Sequence, residues 1–198
     1  MKKGRLEAFS DGVIAIIITI MVLELRVPHG DHIRDLVPLL PVLFSYVLSF
    51  AYVGIYWNNH HHMIYAVDRI NGAILWANLN FLFWLSLIPF VTSWMGENSF
   101  NRWPVILYGG VLIMAGLAYD ILCTQLIKEG GRDSTLAEAL GRDWKAKYSV
   151  LAYVAAIALA FVSTWISVSL YVTVAAAWFI PDRRIEKKVR GVKGSEEQ

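Results

Sequence analysis

The chain has 198 residues, of which 57% are hydrophobic and only 17% charged, with a formal net charge of +2. A soluble domain carries about 25% charged residues, so the composition excludes an ordinary soluble fold and, with eight Trp and nine Tyr, indicates a polytopic membrane protein. The small net charge gives no ground for a nucleic-acid partner, and the single cysteine, Cys123, excludes an intrachain disulfide.

In chain order the apolar blocks are Phe9–Leu25, Leu36–Trp57, Gly72–Met95, Pro104–Ile127 and Tyr148–Ile180. The first four have spanning length, since about 20 residues at 1.5 Å each cross a hydrocarbon core of about 30 Å. The fifth is too long for one span and short for two. A cleaved signal peptide is not expected at the N-terminus: Met1-Lys2-Lys3 precedes an apolar core, but no small-x-small cleavage site follows it.

Charge asymmetry decides how the fifth block is used. If it folds into two short helices, giving six spans, the inner segments hold 15 of the Lys and Arg residues and the outer loops only Arg26, Arg34 and Arg102. That is the bias the positive-inside rule requires. Five spans would put the C-terminal cations outside. The expected fold is therefore all-α, with six transmembrane helices and both termini cytoplasmic. Residues 1–181 form one membrane domain and 182–198 a charged, flexible tail. The turn inside the last block is expected among Ser163–Ser169, its most polar stretch. Asn58–Asn71 and Lys128–Lys147 are expected as cytoplasmic connections, the latter with a short amphipathic helix near Leu136–Leu140 and Trp144.

The first helix has two faces. At about 100° per residue, Ile16, Ile20 and Leu23 share an aliphatic stripe flanked by Gly12 and Thr19. Asp11 and Ser10 point about 140° and 120° away from Ile16, and Phe9 is assigned with them to the internal face. A carboxylate buried in a membrane helix is costly and implies a partner and a role. Candidate partners occur at the same depth. Tyr56-Trp57-Asn58-Asn59-His60-His61-His62 ends the second span and Trp76-Ala77-Asn78-Leu79-Asn80 opens the third. An indole N–H and an imidazole N–H donated to Asp11 make a satisfied network.

Three consecutive histidines also admit a metal site, because His with Asp binds zinc or iron. On a helix they splay by about 100° each, and no His-x3-His spacing is present. Proton relay or pH sensing is a third role open to them.

The pattern Arg5-x3-Phe9-Ser10-Asp11-Gly12-Val13-x-Ala15-Ile16-x2-Thr19 resembles the signature first helix of the transmembrane protein 175 family, the endolysosomal potassium channel and its bacterial relatives. Tyr56-Trp57-x2-His60-His61 and the third-span run from Asn78 to Phe90 match as well; the last three spans match only in length and spacing. The resemblance implies a potassium-selective channel in a bacterial plasma membrane, assembled as a homotetramer with the first helices around a central pore. No cofactor is expected, and the partners are lipid, monovalent cations and the other subunits. It further implies that Ile16, Ile20 and Leu23 line the pore and gate it, and that Thr19 contributes a selectivity layer. Arg5, Phe9, Ser10, Asp11, His60, His61, Trp76 and Asn78 form the structural network. The Thr-Val-Gly-Tyr-Gly filter of ordinary potassium channels does not occur in the chain.

Rings of branched aliphatic side chains can gate by dewetting, and four hydroxyls beside them can replace part of an ion's hydration. Arg5 is expected to turn toward Glu7 or Asp68, because a cation at the inner mouth would repel potassium. Glu24 and Asp31 near the outer mouth can concentrate cations. Two rival readings remain: a membrane metal-binding protein or enzyme using His60–His62 with Asp11 or Asp68, and a secondary transporter, which would need polar sites at the midplane. Asp120, deep in the fourth span beside Gln125 and Cys123, pairs across the bundle in any of them.

Overall fold

A computed structural model describes residues 3–65, 67, 69–130 and 144–179. Every regular element among them is helical: α1 (Lys3–Leu23), a 3-10 segment (Ile33–Leu39), α2 (Leu40–Tyr65), α3 (Gly72–Ser86), α4 (Ile88–Glu97), α5 (Arg102–Gly130), α6 (Trp144–Leu159) and α7 (Thr164–Phe179). Four segments are long and apolar enough to cross a membrane: Lys3–Leu23, Ile33–Tyr65, Gly72–Glu97 and Arg102–Gly130. With the α6–α7 hairpin this makes six apolar helical passes. The interfacial helix expected near Leu136–Leu140, the side chain of Trp144 and the tail 182–198 lie outside the described residues.

The α5 helix is the hub. It packs on α3, α4, α6, α7 and α2, while α1 lies on the other side against α2, α3 and α4. Lipid tails are as apolar as the side chains, so close packing and hydrogen bonds hold such helices together, and small residues mark the tightest crossings. A side chain at Gly109 would meet the Tyr171 hydroxyl of α7 at 2.2 Å, and one at Gly96 would meet the α2 backbone at Val42 at 2.7 Å. Those two glycines let α7 and α2 approach.

The third apolar block is bent. Ser86 ends α3, Leu87 forms a turn, and α4 starts at Ile88 with Pro89 in its first turn. A proline has no N–H to continue the ladder and crowds the preceding turn. Two of the expected boundaries also move. The α2 helix runs two turns beyond Trp57, so His60–His62 are helical residues and not part of a loop. The Lys3 ammonium holds that extension, donating 2.7 Å to the Tyr65 carbonyl and lying 4.8 Å over the Tyr65 ring. A cation there complements the negative end of the helix. In the last block the turn occupies residues 160–163, overlapping the polar stretch expected to form it only at Ser163. The hydroxyls do not mark a loop because they are satisfied within helices: Ser167 donates to the Ala156 carbonyl across the hairpin at 2.6 Å, and Thr173 donates to Ser169 at 2.7 Å.

A polar layer joins the helices inside the core. The Tyr171 hydroxyl donates to the Val105 carbonyl and the Tyr52 hydroxyl to the Tyr171 carbonyl, while Ser49 bonds both Tyr108 and Thr92. Each bond joins different helices, and no buried side-chain N or O among the described residues lacks a partner. Without water an orphaned group would cost several kcal/mol, so this satisfaction is a condition of the fold.

Candidate functional site

The α1 helix separates core from surface along its length. Leu6, Ser10, Ile14, Ile17 and Met21 are buried, at spacings of three and four, against α2, α3 and α4. On the other side Ile16 is 59% exposed, Ile20 42% and Leu23 75%. A row of exposed branched side chains on one helix is covered either by acyl chains or by another copy of the protein. Thr19 belongs to the same surface, and its hydroxyl donates 2.8 Å to the Ala15 carbonyl. With its proton used inside the helix, the hydroxyl has both lone pairs free to accept, so what it offers the surface is an oxygen.

The buried face carries a directed chain of hydrogen bonds. The His60 Nε2–H donates to Asn78 Oδ1 at 2.7 Å, Asn78 Nδ2 donates to Ser10 Oγ at 3.0 Å, and the Ser10 hydroxyl donates to the Leu6 carbonyl at 2.9 Å. All three side chains are buried. The series joins α2 to α3 and α3 to α1, and fixes the rotation of α1 about its own axis. Because an amide oxygen can only accept, the His60 proton sits on Nε2.

Asp11 takes a different place from the one expected. It lies on the exposed surface of the single chain, not in its core, and accepts 2.9 Å from the Trp57 indole N–H. Its imidazole partner is missing because His60 turns to Asn78. His61 instead stacks outside between the Trp57 ring, at 6.3 Å, and the Tyr65 ring, at 6.4 Å, with His62 edge-on to it. Neighbouring histidines one helical step apart cannot face the same way. The triplet therefore does not form a ligand cluster. The one group of metal-competent side chains among the described residues is Asp31, His32 and Asp35, in the exposed connection before α2.

Four other assignments change. Phe9 is 52% exposed, and seven residues before Ile16 it falls only about 20° from it on the helix, so it extends the aliphatic stripe and not the buried network. Arg5 is helical and exposed on that same side; it makes no ion pair with Glu7, and Asp68 lies outside the described residues. Trp76 is 75% exposed near the start of α3, away from the network. Asp120 is exposed on α5 and does not pair across the bundle among the described residues. The sequence reading missed the Lys3–Tyr65 contact and the tyrosine layer. Nothing local marks either of them, since every bond involved joins residues 43 or more positions apart.

At the end of the bundle where α1 finishes, two charges are held by α4. The Ser93 hydroxyl donates 3.2 Å to the Glu24 carboxylate, and Arg26 pairs with Glu97 at 3.2 Å.

Residues 5–89 match the model of the family described as endosomal/lysosomal potassium channel TMEM175. A protein named as a potassium channel from a Chryseobacterium species is 53% identical over 96% of this chain and 99% of its own. Another, from Streptomyces collinus, is 32% identical over 82% of this chain and 84% of its own. The fold superposes with a TM-score of 0.76 on the crystal structure of a lysosomal potassium-selective channel TMEM175 homolog from Chamaesiphon minutus. That structure is 29% identical and covers 90% of this chain and 96% of its own. These relatives are channels, not enzymes.

Proposed function

Because this chain belongs to the TMEM175 family, an integral membrane family of channels, we propose that it is a potassium-selective cation channel whose pore is lined by α1 from each of four identical subunits. The observation that carries this reading is the exposed row Ile16, Ile20 and Leu23, on a helix whose opposite face is fixed to the subunit by Ser10, Asn78 and His60. A helix anchored on one side and apolar on the other suits the inner wall of a ring. The potassium channels among its relatives support the choice of ion.

In this ring the branched side chains form a hydrophobic neck that excludes water until the helices tilt or part. Thr19 sets four hydroxyl oxygens beside the neck, where each replaces part of the hydration of a potassium ion. Asp11 and Trp57, exposed on the single chain, then face a neighbouring subunit or the rim of the assembly. Both termini lie in the cytoplasm of a bacterial cell, with 15 of the chain's Lys and Arg residues on that side of the plasma membrane and three outside.

Ile16→Asn or Leu23→Asn is expected to wet the neck and raise potassium leak from reconstituted liposomes by about tenfold, the factor that removing 1.4 kcal/mol from a barrier gives. Unchanged flux in both variants means that this face does not line the pore.

A further inference from the structure

The carboxylate of Glu24 stands immediately beyond the aliphatic row. Its backbone N–H still bonds the Ile20 carbonyl at 3.3 Å, so the helical path of α1 continues to it, and it lies about 40° around the helix from Ile20, at the edge of the row that turns toward α4. It is exposed. Among the described residues its hydrogen-bond donor is neutral, the Ser93 hydroxyl at 3.2 Å, and no cation pairs with it.

The nearest cation in sequence, Arg26, is directed elsewhere. Its guanidinium is held 3.2 Å from Glu97. Ser93 and Glu97 are four residues apart and so share one face of α4, which packs on α1. That face sorts the two charges: one position orients the carboxylate without neutralising it, and the next removes the positive charge that would cancel it. Asp35, in the connection that follows, accepts from the His32 backbone N–H and is committed to the start of the 3-10 segment.

Resting on the pore reading above, we infer that Glu24 is a cation-binding residue of the outer mouth. Four copies around the axis form a ring of carboxylates that collects hydrated monovalent cations ahead of the neck, with Ser93 as its positioning residue. A ring of this kind raises the local cation concentration electrostatically. Its effect must vanish when salt screens it, because the Debye length falls from about 30 Å at 0.01 M to about 3 Å at 1 M.

The test is potassium conduction across planar bilayers, at 10 mM and at 1 M potassium chloride on the outer side, for wild type, Glu24→Gln, Glu24→Asp and Ile16→Asn. Glu24→Gln is expected to carry about threefold less inward current than wild type in dilute salt and an equal current in concentrated salt, with Glu24→Asp like wild type in both. Equal currents for Glu24→Gln and wild type in dilute salt overturn the inference, as does a deficit of the same size at both concentrations, which would reflect damage to the fold. Ile16→Asn separates the two levels: a raised leak with an inert Glu24 leaves the pore standing and removes only the ring, whereas an unaltered leak removes the pore itself.

Discussion

Thr19 shows how a single hydrogen bond decides what a side chain presents. Its proton is committed to the Ala15 carbonyl, so Thr19→Ala removes an acceptor and a polar surface while leaving the helix ladder intact. The expected result is a lower preference for potassium over sodium with conduction retained, and Thr19→Ser should keep the preference. An unaltered bi-ionic reversal potential in Thr19→Ala would show that the hydroxyl does not meet the ion. At this scale the sequence was legible where helical arithmetic suffices. The stripe Ile16, Ile20, Leu23 follows from 100° per residue, and the same arithmetic places Phe9 on it once the helix is carried back to Lys3. What it does not supply is which histidine turns inward. His60, His61 and His62 differ only in the phase of α2, and that phase is set by the buried residues Ser49, Tyr52, Val53 and Met63, which belong to the whole bundle.

Among the elements, the α5–α7 crossing is the most exacting. The Tyr171 hydroxyl rests where a Gly109 side chain would stand and donates 3.1 Å to the Val105 carbonyl. Gly109→Ala is expected to destabilise the fold by about 1–3 kcal/mol through overpacking. Adding Tyr171→Phe, which removes the hydroxyl in conflict, should recover part of that loss, and thermal unfolding in detergent reads it. If the two losses simply add, the close approach is not what limits the site. Helix existence was readable from the apolar blocks, but the bend at Leu87 was not, since Gly72–Met95 reads as one continuous span. Helix ends were less readable, because a polar run such as Asn58–His62 looks like a loop until Lys3 reaches across to the Tyr65 carbonyl. The serines and threonines of the last block mislead in the same way, since their hydroxyls bond carbonyls inside helices.

For the whole molecule, the charge bias and five apolar blocks, the last folded in two, were enough to choose an all-helical membrane fold, and the superposition on the Chamaesiphon minutus structure agrees with that class. Assembly is a separate question, and Asp11 is where it can be asked. The carboxylate is exposed on the subunit and its Trp57 bond can survive replacement by an amide, whose oxygen still accepts. Asp11→Asn is therefore expected to leave helicity by circular dichroism unchanged and to reduce the fraction of protein recovered at tetramer mass. Full recovery of the tetramer, with selectivity alone altered, would place Asp11 on the ion path instead.

The α6–α7 hairpin bears on how the chain enters its membrane in the first place. Its two helices are joined by a bend over residues 160–163 and tied by the Ser167 hydroxyl, which donates to the Ala156 carbonyl. Arms coupled this closely are expected to enter lipid together as a preassembled wedge, the Ser167 hydroxyl already satisfied before it meets the hydrocarbon.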